Sequence, residues 1–137
     1  SLQAAILNVK LDHIENWTKQ RQEVASKYLN RLAAIDSIGL PHVDEGKTHV
    51  WHLFVIQHEN RDGLASFLQE NGVQTVVNYP VALPFLTAYE RFGHTPAHFP
   101  NAHFNQSRIL SLPIFPEIED DQVAYVCKLI SEYCAKI

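Results

Sequence analysis

The chain of 137 residues has no methionine, only two cysteines, and five glycines that never cluster. Each shortage removes a class of function. Scattered glycines leave no backbone loop able to cradle phosphates. No G-x-S-x-G turn is present and both cysteines fall in an apolar helical stripe, so an activated Ser or Cys nucleophile is missing too. Cys127 and Cys134 stand seven apart on one predicted helix, about 10 Å along its axis, which is beyond the reach of a disulfide. They read as small apolar residues of a reducing compartment, and a cytoplasmic location is expected. Positive charge is also scarce. With 11 Lys+Arg against 15 Asp+Glu and a formal charge of −4, there is no basic face for phosphates, which argues against nucleic acid as the main partner. No apolar run approaches the roughly 20 residues of a bilayer span, so no membrane partner is expected, and the first residues lack the pattern of a signal peptide.

What is present is ordinary for one globular domain, 46% hydrophobic and 19% charged, long enough to bury a core without staples. Ser1 stands directly before a stretch that reads as helix interior. Together with the missing methionine this suggests a domain belonging to a longer protein.

From Leu2 to about Ala34 there is no Pro or Gly, and Leu2, Ile6, Val9, Ile14, Trp17, Val24, Tyr28 and Leu32 recur at helical spacing. The pattern predicts one long amphipathic helix of about 45 Å, part of which should pack on another domain or subunit. Ser37, Gly39 and Pro41 end it, and 42–48 reads as a loop. His49 to Gln57 mixes β-branched and aromatic residues and predicts a central strand. Asn60 caps a helix from Arg61 to Asn71, with Leu64, Phe67 and Leu68 inward and Gly72 as its left-handed stop. A strand from Val73 to Asn78 follows. Beyond it come a short helix from Phe85 to Phe92 ending at Gly93, a loop to Pro100, a helical piece from Asn101 to Leu110, and an extended or edge strand from Ser111 to Pro116. The last helix carries an apolar stripe of Val123, Val126, Cys127, Ile130, Tyr133, Cys134 and Ile137, with Glu117, Glu119, Asp120 and Asp121 at its positive end. The order of elements predicts an α/β (α+β) fold with helices against one face of a small sheet.

Chemistry is sparse. The eight histidines suggest a metal, above all His94, His98 and His103, but these lack Cys or carboxylate partners at ligand spacing and read as solvated loop residues. His49 and His52 would point to opposite faces of a strand. The paired carboxylates at 117–121 are explained by helix capping. None of the six lysines stands in a setting that would lower its pKa for Schiff-base chemistry. The remaining candidate edge is Val73 to Tyr89, where Pro80 and Pro84 stiffen the exit from a strand and Asn78 and Tyr79 offer two polar groups. By pattern alone the same residues make an ordinary strand-to-helix turn.

Several short motifs in this order resemble one family. Leu2-Gln3-Ala4-Ala5-Ile6-Leu7 resembles L-Q-A-A-x-L, Asn78-Tyr79-Pro80 resembles H-Y-P, Ala88-Tyr89 closes the same loop, and Leu110-Ser111-Leu112-Pro113 resembles L-S-L-P. With Pro116-Glu117 and the acidic residues before Val123, these are similar to the C-terminal part of the DegT-type (StrS-like) sugar aminotransferases, over nearly the whole chain. The resemblance implies the small domain of a fold type I pyridoxal-phosphate (PLP) transferase: a long N-terminal helix, a small and largely antiparallel sheet, and helices packed on it. It implies that residues 1–137 are one C-terminal domain, that the large domain with the Schiff-base lysine lies upstream, and that the R-L-D preceding the first motif lies there too. PLP is then expected in the full-length enzyme and none in this chain, which would be inactive alone. The parent would be a homodimer aminating a nucleotide-linked keto-sugar, with glutamate the common donor of the family. Tyr79 carries over as a substrate-binding residue. Asn78 replaces the family's His and is a polar contact that cannot titrate near neutrality. Where the family continues P-x-P-x-H-x-Q, Ala82, Pro84 and Leu86 occupy the second Pro, the His and the Gln. Two rival readings stand beside it: a stand-alone small-molecule-binding or regulatory α/β module, and an interaction domain that dimerises through the long helix.

Overall fold

The computed structural model describes residues 1–136. Ile137, assigned above to the last apolar stripe, lies outside the described residues. The predicted long helix is two helices, α1 (Leu2–Leu11) and α2 (Ile14–Leu32). Asp12 and His13 between them keep right-handed helical dihedrals. The backbone tightens there, with the His13 N–H donating to the Lys10 carbonyl three residues back at 3.1 Å, so the ladder is broken without Pro or Gly. Ser1 is a cap after all, because its Oγ accepts from the Ala4 N–H at 3.3 Å. No residue of α1 is buried, and Leu2 is 80% exposed. The amphipathic stripe is satisfied within this chain only along α2, where Val24, Ala25, Tyr28 and Leu32 are buried.

The predicted strand over 49–57 shrinks to β1 (Phe54–Gln57). Trp51 is buried with a φ of 50°, a left-handed conformation uncommon for a bulky residue. Its backbone N–H donates to His49 Nδ1 at 2.8 Å and its ring packs at a tilt against that imidazole and Phe54. That local knot turns the chain before it can extend, and neither His49 nor His52 lies in a strand. Next come α3 (Arg61–Glu70), capped by Asn60 Oδ1 on the Gly63 N–H at 3.1 Å, and Gly72 at a φ of 79°. The expected strand at 73–78 makes one isolated bridge, Val76 to Ser111. Its outer edge is unpaired among the described residues, and Val76 is exposed. Two 3₁₀ turns, Leu83–Phe85 and Thr87–Phe92, replace the short helix and end at Gly93. Then follow α4 (Pro100–Gln106), β2 (Ile109–Leu112) and α5 (Asp120–Cys134). Extended backbone thus begins two residues earlier than the prolines suggested, because Ile109 and Leu110 pair with Gln57 and Ile56.

β1 and β2 are antiparallel, with Phe54 opposite Leu112 and Ile56 opposite Leu110. Gly39 bridges to Gln57 on one flank and Val76 to Ser111 on the other, so β2 lies inside the sheet rather than at its edge. Phe54, Ile56, Leu110 and Leu112 bury one face in a core shared with Tyr28, Leu32, Leu64, Leu68, Val123 and Ile130. The Tyr28 hydroxyl crosses this core to donate to the Pro113 carbonyl at 2.9 Å, and burial pushes its pKa far above the ordinary phenol value, Cys127 adding to the effect. The start of α5 is held by a capping box between Glu119 and Gln122. It is also held by Asp120, whose carboxylate receives Lys27 at 3.2 Å and Arg31 at 2.9 Å from α2.

Two outcomes are expected. Cys127 is buried and its thiol pushed up to about 11, burial being the main cause and the Arg31 charge opposing it, whereas Cys134 is half-exposed. Iodoacetamide at pH 8 should therefore alkylate Cys134 first and reach Cys127 only on unfolding; equal rates at both would contradict this packing. The Asp120 pKa is lowered, first by its hydrogen bond from Lys27. A depressed carboxyl pKa stabilises the fold above the unfolded value and loses that contribution as pH falls through the folded value. Asp120→Asn should thus lower the melting temperature slightly at pH 7, and the gap from wild type should close below the ordinary value of 3.8.

Candidate functional site

The stretch from Val73 to Tyr89 changes character along its length. Val73 is buried and Val77 partly so, which anchors the incoming chain on the core. Val76 and Ser111 then exchange both backbone hydrogen bonds, at 3.2 and 2.8 Å. Alternation places Leu110 and Leu112 in the core and turns Ser111 toward the loop side of β2. There the Ser111 hydroxyl, itself buried, donates to Asn78 Oδ1 at 3.1 Å. The amide Nδ2 of Asn78 keeps its two donors for other partners. The next peptide, Asn78–Tyr79, is cis. Tyr79 is 74% exposed. Pro80 and Val81 follow, and the Ala82 N–H donates to Gln106 Oε1 at 2.9 Å.

Asn78 and Tyr79 are therefore neighbours with different settings. Asn78 helps to wall a cavity of about 230 Å³ with His52, Gln74, Ser111 and Pro113. Beside it, sharing Gln74, Val76 and Pro113, runs an open groove of about 1000 Å³ bounded by Tyr125 and Asp121 of α5. Tyr79 stands outside both. A more enclosed hollow of about 470 Å³ between His58, Phe67, Tyr133 and Lys136 shares no residue with this site, and its size alone does not connect it to the loop. The loop itself folds Leu83, Pro84, Tyr89, Phe92, His94 and Phe99 around an apolar hollow of about 350 Å³.

The histidines singled out above serve as packing and capping groups. His94 stacks on Phe92 and meets Phe99 edge-on, His103 meets Phe85 edge-on, and His98 Nδ1 accepts from the Thr95 N–H. Among the described residues no group of three or more His, Cys, Asp or Glu is placed to hold a metal ion. Lys27, Lys47 and Lys128 face carboxylates and Lys136 lies over the Phe67 ring at 5.0 Å, while Lys10 and Lys19 are exposed. Lys136 lines the hollow with His58 and Tyr133, while no described lysine lines the cavities beside Asn78 or within the loop, so the described residues of that site do not by themselves offer PLP a Schiff-base lysine.

Two further residues hold the loop, Ser111 and Gln106, and a third, Arg61, braces the elements that carry them. Ser111 belongs to a motif already noted, but its task follows from strand register. Gln106 carries no sequence signal. Arg61, the first residue of α3, is buried; its guanidinium donates to the Ile109 carbonyl at 3.1 Å and the Gln106 carbonyl at 3.4 Å, and pairs with Asp62.

Comparison with known proteins gives a consistent result. The model of the DegT/DnrJ/EryC1/StrS aminotransferase family matches residues 1–131. The chain is 37% identical over 134 residues to a protein named pleiotropic regulatory protein from Geobacillus stearothermophilus, covering 96% of this chain and 36% of that protein. It is 35% identical over 136 residues to dTDP-3-amino-3,4,6-trideoxy-alpha-D-glucose transaminase from Streptomyces venezuelae, covering 99% of this chain and 36% of the relative. It thus spans about a third of the length of the curated relatives it matches. The crystal structure of S. venezuelae DesV in complex with a ketimine intermediate superposes with a TM-score of 0.92 at 34% identity, over 98% of this chain and 36% of that one.

The contrast between the two loop residues can be measured. Tyr79→Phe should leave stability within about 0.5 kcal/mol of wild type, because it removes an exposed hydroxyl. Asn78→Ala strands the buried Ser111 hydroxyl and should cost about 1–3 kcal/mol. Denaturant titration of both variants checks this, and equal losses would mean that the Ser111 contact contributes nothing.

Proposed function

Because the chain belongs to the DegT/DnrJ/EryC1/StrS aminotransferase family, we propose that it is the C-terminal small domain of a PLP-dependent enzyme that transfers an amino group, from glutamate, to a nucleotide-linked keto-sugar. The observation that carries this reading is the match of nearly the whole fold to DesV, a structure holding a ketimine intermediate. The 35% identity to a named dTDP-amino-sugar transaminase supports the substrate class.

On this reading the apolar side chains left bare on α1, among them Leu2, Leu7 and Val9, face the large domain. That domain supplies the lysine and phosphate contacts of PLP, this chain alone holds none, and the whole enzyme works as a cytoplasmic homodimer. PLP, when bound, supplies the electron sink for amino transfer. The contribution of this chain is placement. Tyr79 donates its phenolic hydrogen to an oxygen of the sugar nucleotide, and its exposure leaves that hydrogen unclaimed. Asn78 donates from Nδ2 while Ser111 holds its Oδ1. Being neutral at all working pH values, Asn78 orients substrate and moves no proton.

The likeness to a protein named pleiotropic regulatory protein favours, as a second reading, a regulatory module without catalysis. Adding PLP to the full-length protein separates the two: a stoichiometric visible band of bound cofactor, absent with this chain alone, is expected, and its absence from the full-length protein would leave the regulatory reading. In the full-length enzyme, Tyr79→Phe should slow the sugar-nucleotide half-reaction about three- to tenfold, the worth of one hydrogen bond, and spare the glutamate half-reaction. Equal loss in both would remove Tyr79 from the substrate site.

A further inference from the structure

Two side chains from a different part of the fold grip the loop on either side of Tyr79. Upstream, the buried Ser111 hydroxyl binds Asn78 Oδ1 at 3.1 Å. Downstream, Gln106 Oε1 takes the Ala82 N–H at 2.9 Å. Only Tyr79, Pro80 and Val81 lie between the two held residues, and Pro80 has a fixed φ. Ser111 sits in β2 and Gln106 ends α4. Both belong to one base, because the buried Arg61 guanidinium spans the carbonyls of Gln106 and Ile109 and so ties the end of α4 to the start of β2. Arg61 can do this because its planar fork aims several N–H groups at once.

We infer that Gln106 and Ser111 are positioning residues that hold Tyr79 at the mouth of the substrate site, a role that rests on the sugar-nucleotide reading above. The bracket matters because Tyr79 has little packing of its own: at 74% exposure its direction is set by the backbone on either side. A three-residue span clamped at both ends has few conformations to lose when substrate binds, which lowers the ordering cost of that contact. Gln106 acts through its acceptor oxygen alone, since Ala82 offers a backbone N–H. Glutamate at 106 would keep that function and alanine would abolish it.

The test uses the full-length enzyme and two readouts. Amide hydrogen exchange in the peptide spanning 79–86, read without substrate, should quicken about three- to tenfold at Ala82 in Gln106→Ala and return toward wild type in Gln106→Glu. Steady-state turnover is followed with glutamate as donor and a dTDP-linked and a UDP-linked 3-keto sugar as acceptor probes. KM for the probe that wild type accepts should rise about three- to tenfold in Gln106→Ala and Ser111→Ala, kcat for the glutamate half-reaction should not move, and Gln106→Glu should restore KM. Unchanged exchange at Ala82, or unchanged KM in both variants while Tyr79→Phe is impaired, overturns the bracket and leaves the function standing. If neither probe turns over in wild type, or Tyr79→Phe equals wild type, the sugar-site reading fails and the bracket's role fails with it.

Discussion

The antiparallel pairing of β1 with β2 is the constraint on which the other features depend. It fixes register, and register decides which side chains of β2 serve the core and which serve the loop. Leu110 and Leu112 meet Ile56 and Phe54 and enter the apolar cluster that α2, α3 and α5 cover. Ser111 then has no choice but the other face, where it holds Val76 by backbone and Asn78 by side chain. A slip of one residue would put the hydroxyl in the core and a leucine beside Asn78, and both core and loop would be lost together.

The helices brace this pair unevenly. α5 is locked at its start by the Asp120 contacts and its own capping box, and along its length by Val123, Val126 and Ile130. Tyr28 links α2 to the exit of β2 through the Pro113 carbonyl. By contrast α1 buries nothing, although its sequence is the more apolar half of the N-terminal stretch. Its hydrophobic side chains have no partner among the described residues, which fits a chain that spans about a third of its relatives. The exposed apolar residues Leu83 and Phe92 of the loop and Phe104 of α4 belong with α1 in this respect.

Much of the fold was legible because periodicity and capping are local. The stripe of α5, the Asn60 cap, the stops at Gly72 and Gly93 and the inward Leu64 and Leu68 all appear where those signals placed them. The misreadings share a cause. Residues 49–53 have strand-forming composition, yet contacts of His49 and Phe54 with Trp51 turn the backbone. Residues 73–78 are rich in valine, yet among the described residues they form a single β-bridge. Composition states what a segment tolerates, and a strand also needs a partner along its length. The N-terminal helix divides at Asp12 and His13 with no breaker residue to announce it.

At the loop the division is similar. Sequence by itself determined that Asn78, Tyr79 and two prolines would form a stiff polar exit, because proline geometry and side-chain chemistry are properties of the residues themselves. It also determined the family, through motifs strung along nearly the whole chain. Only the tertiary structure decided that Asn78 is held by Ser111, 33 residues away, and Ala82 by Gln106, 24 residues away. Those contacts depend on the register of β2 and on buried Arg61 tying α4 to it. No local pattern encodes them, because the partners meet only after the core has closed.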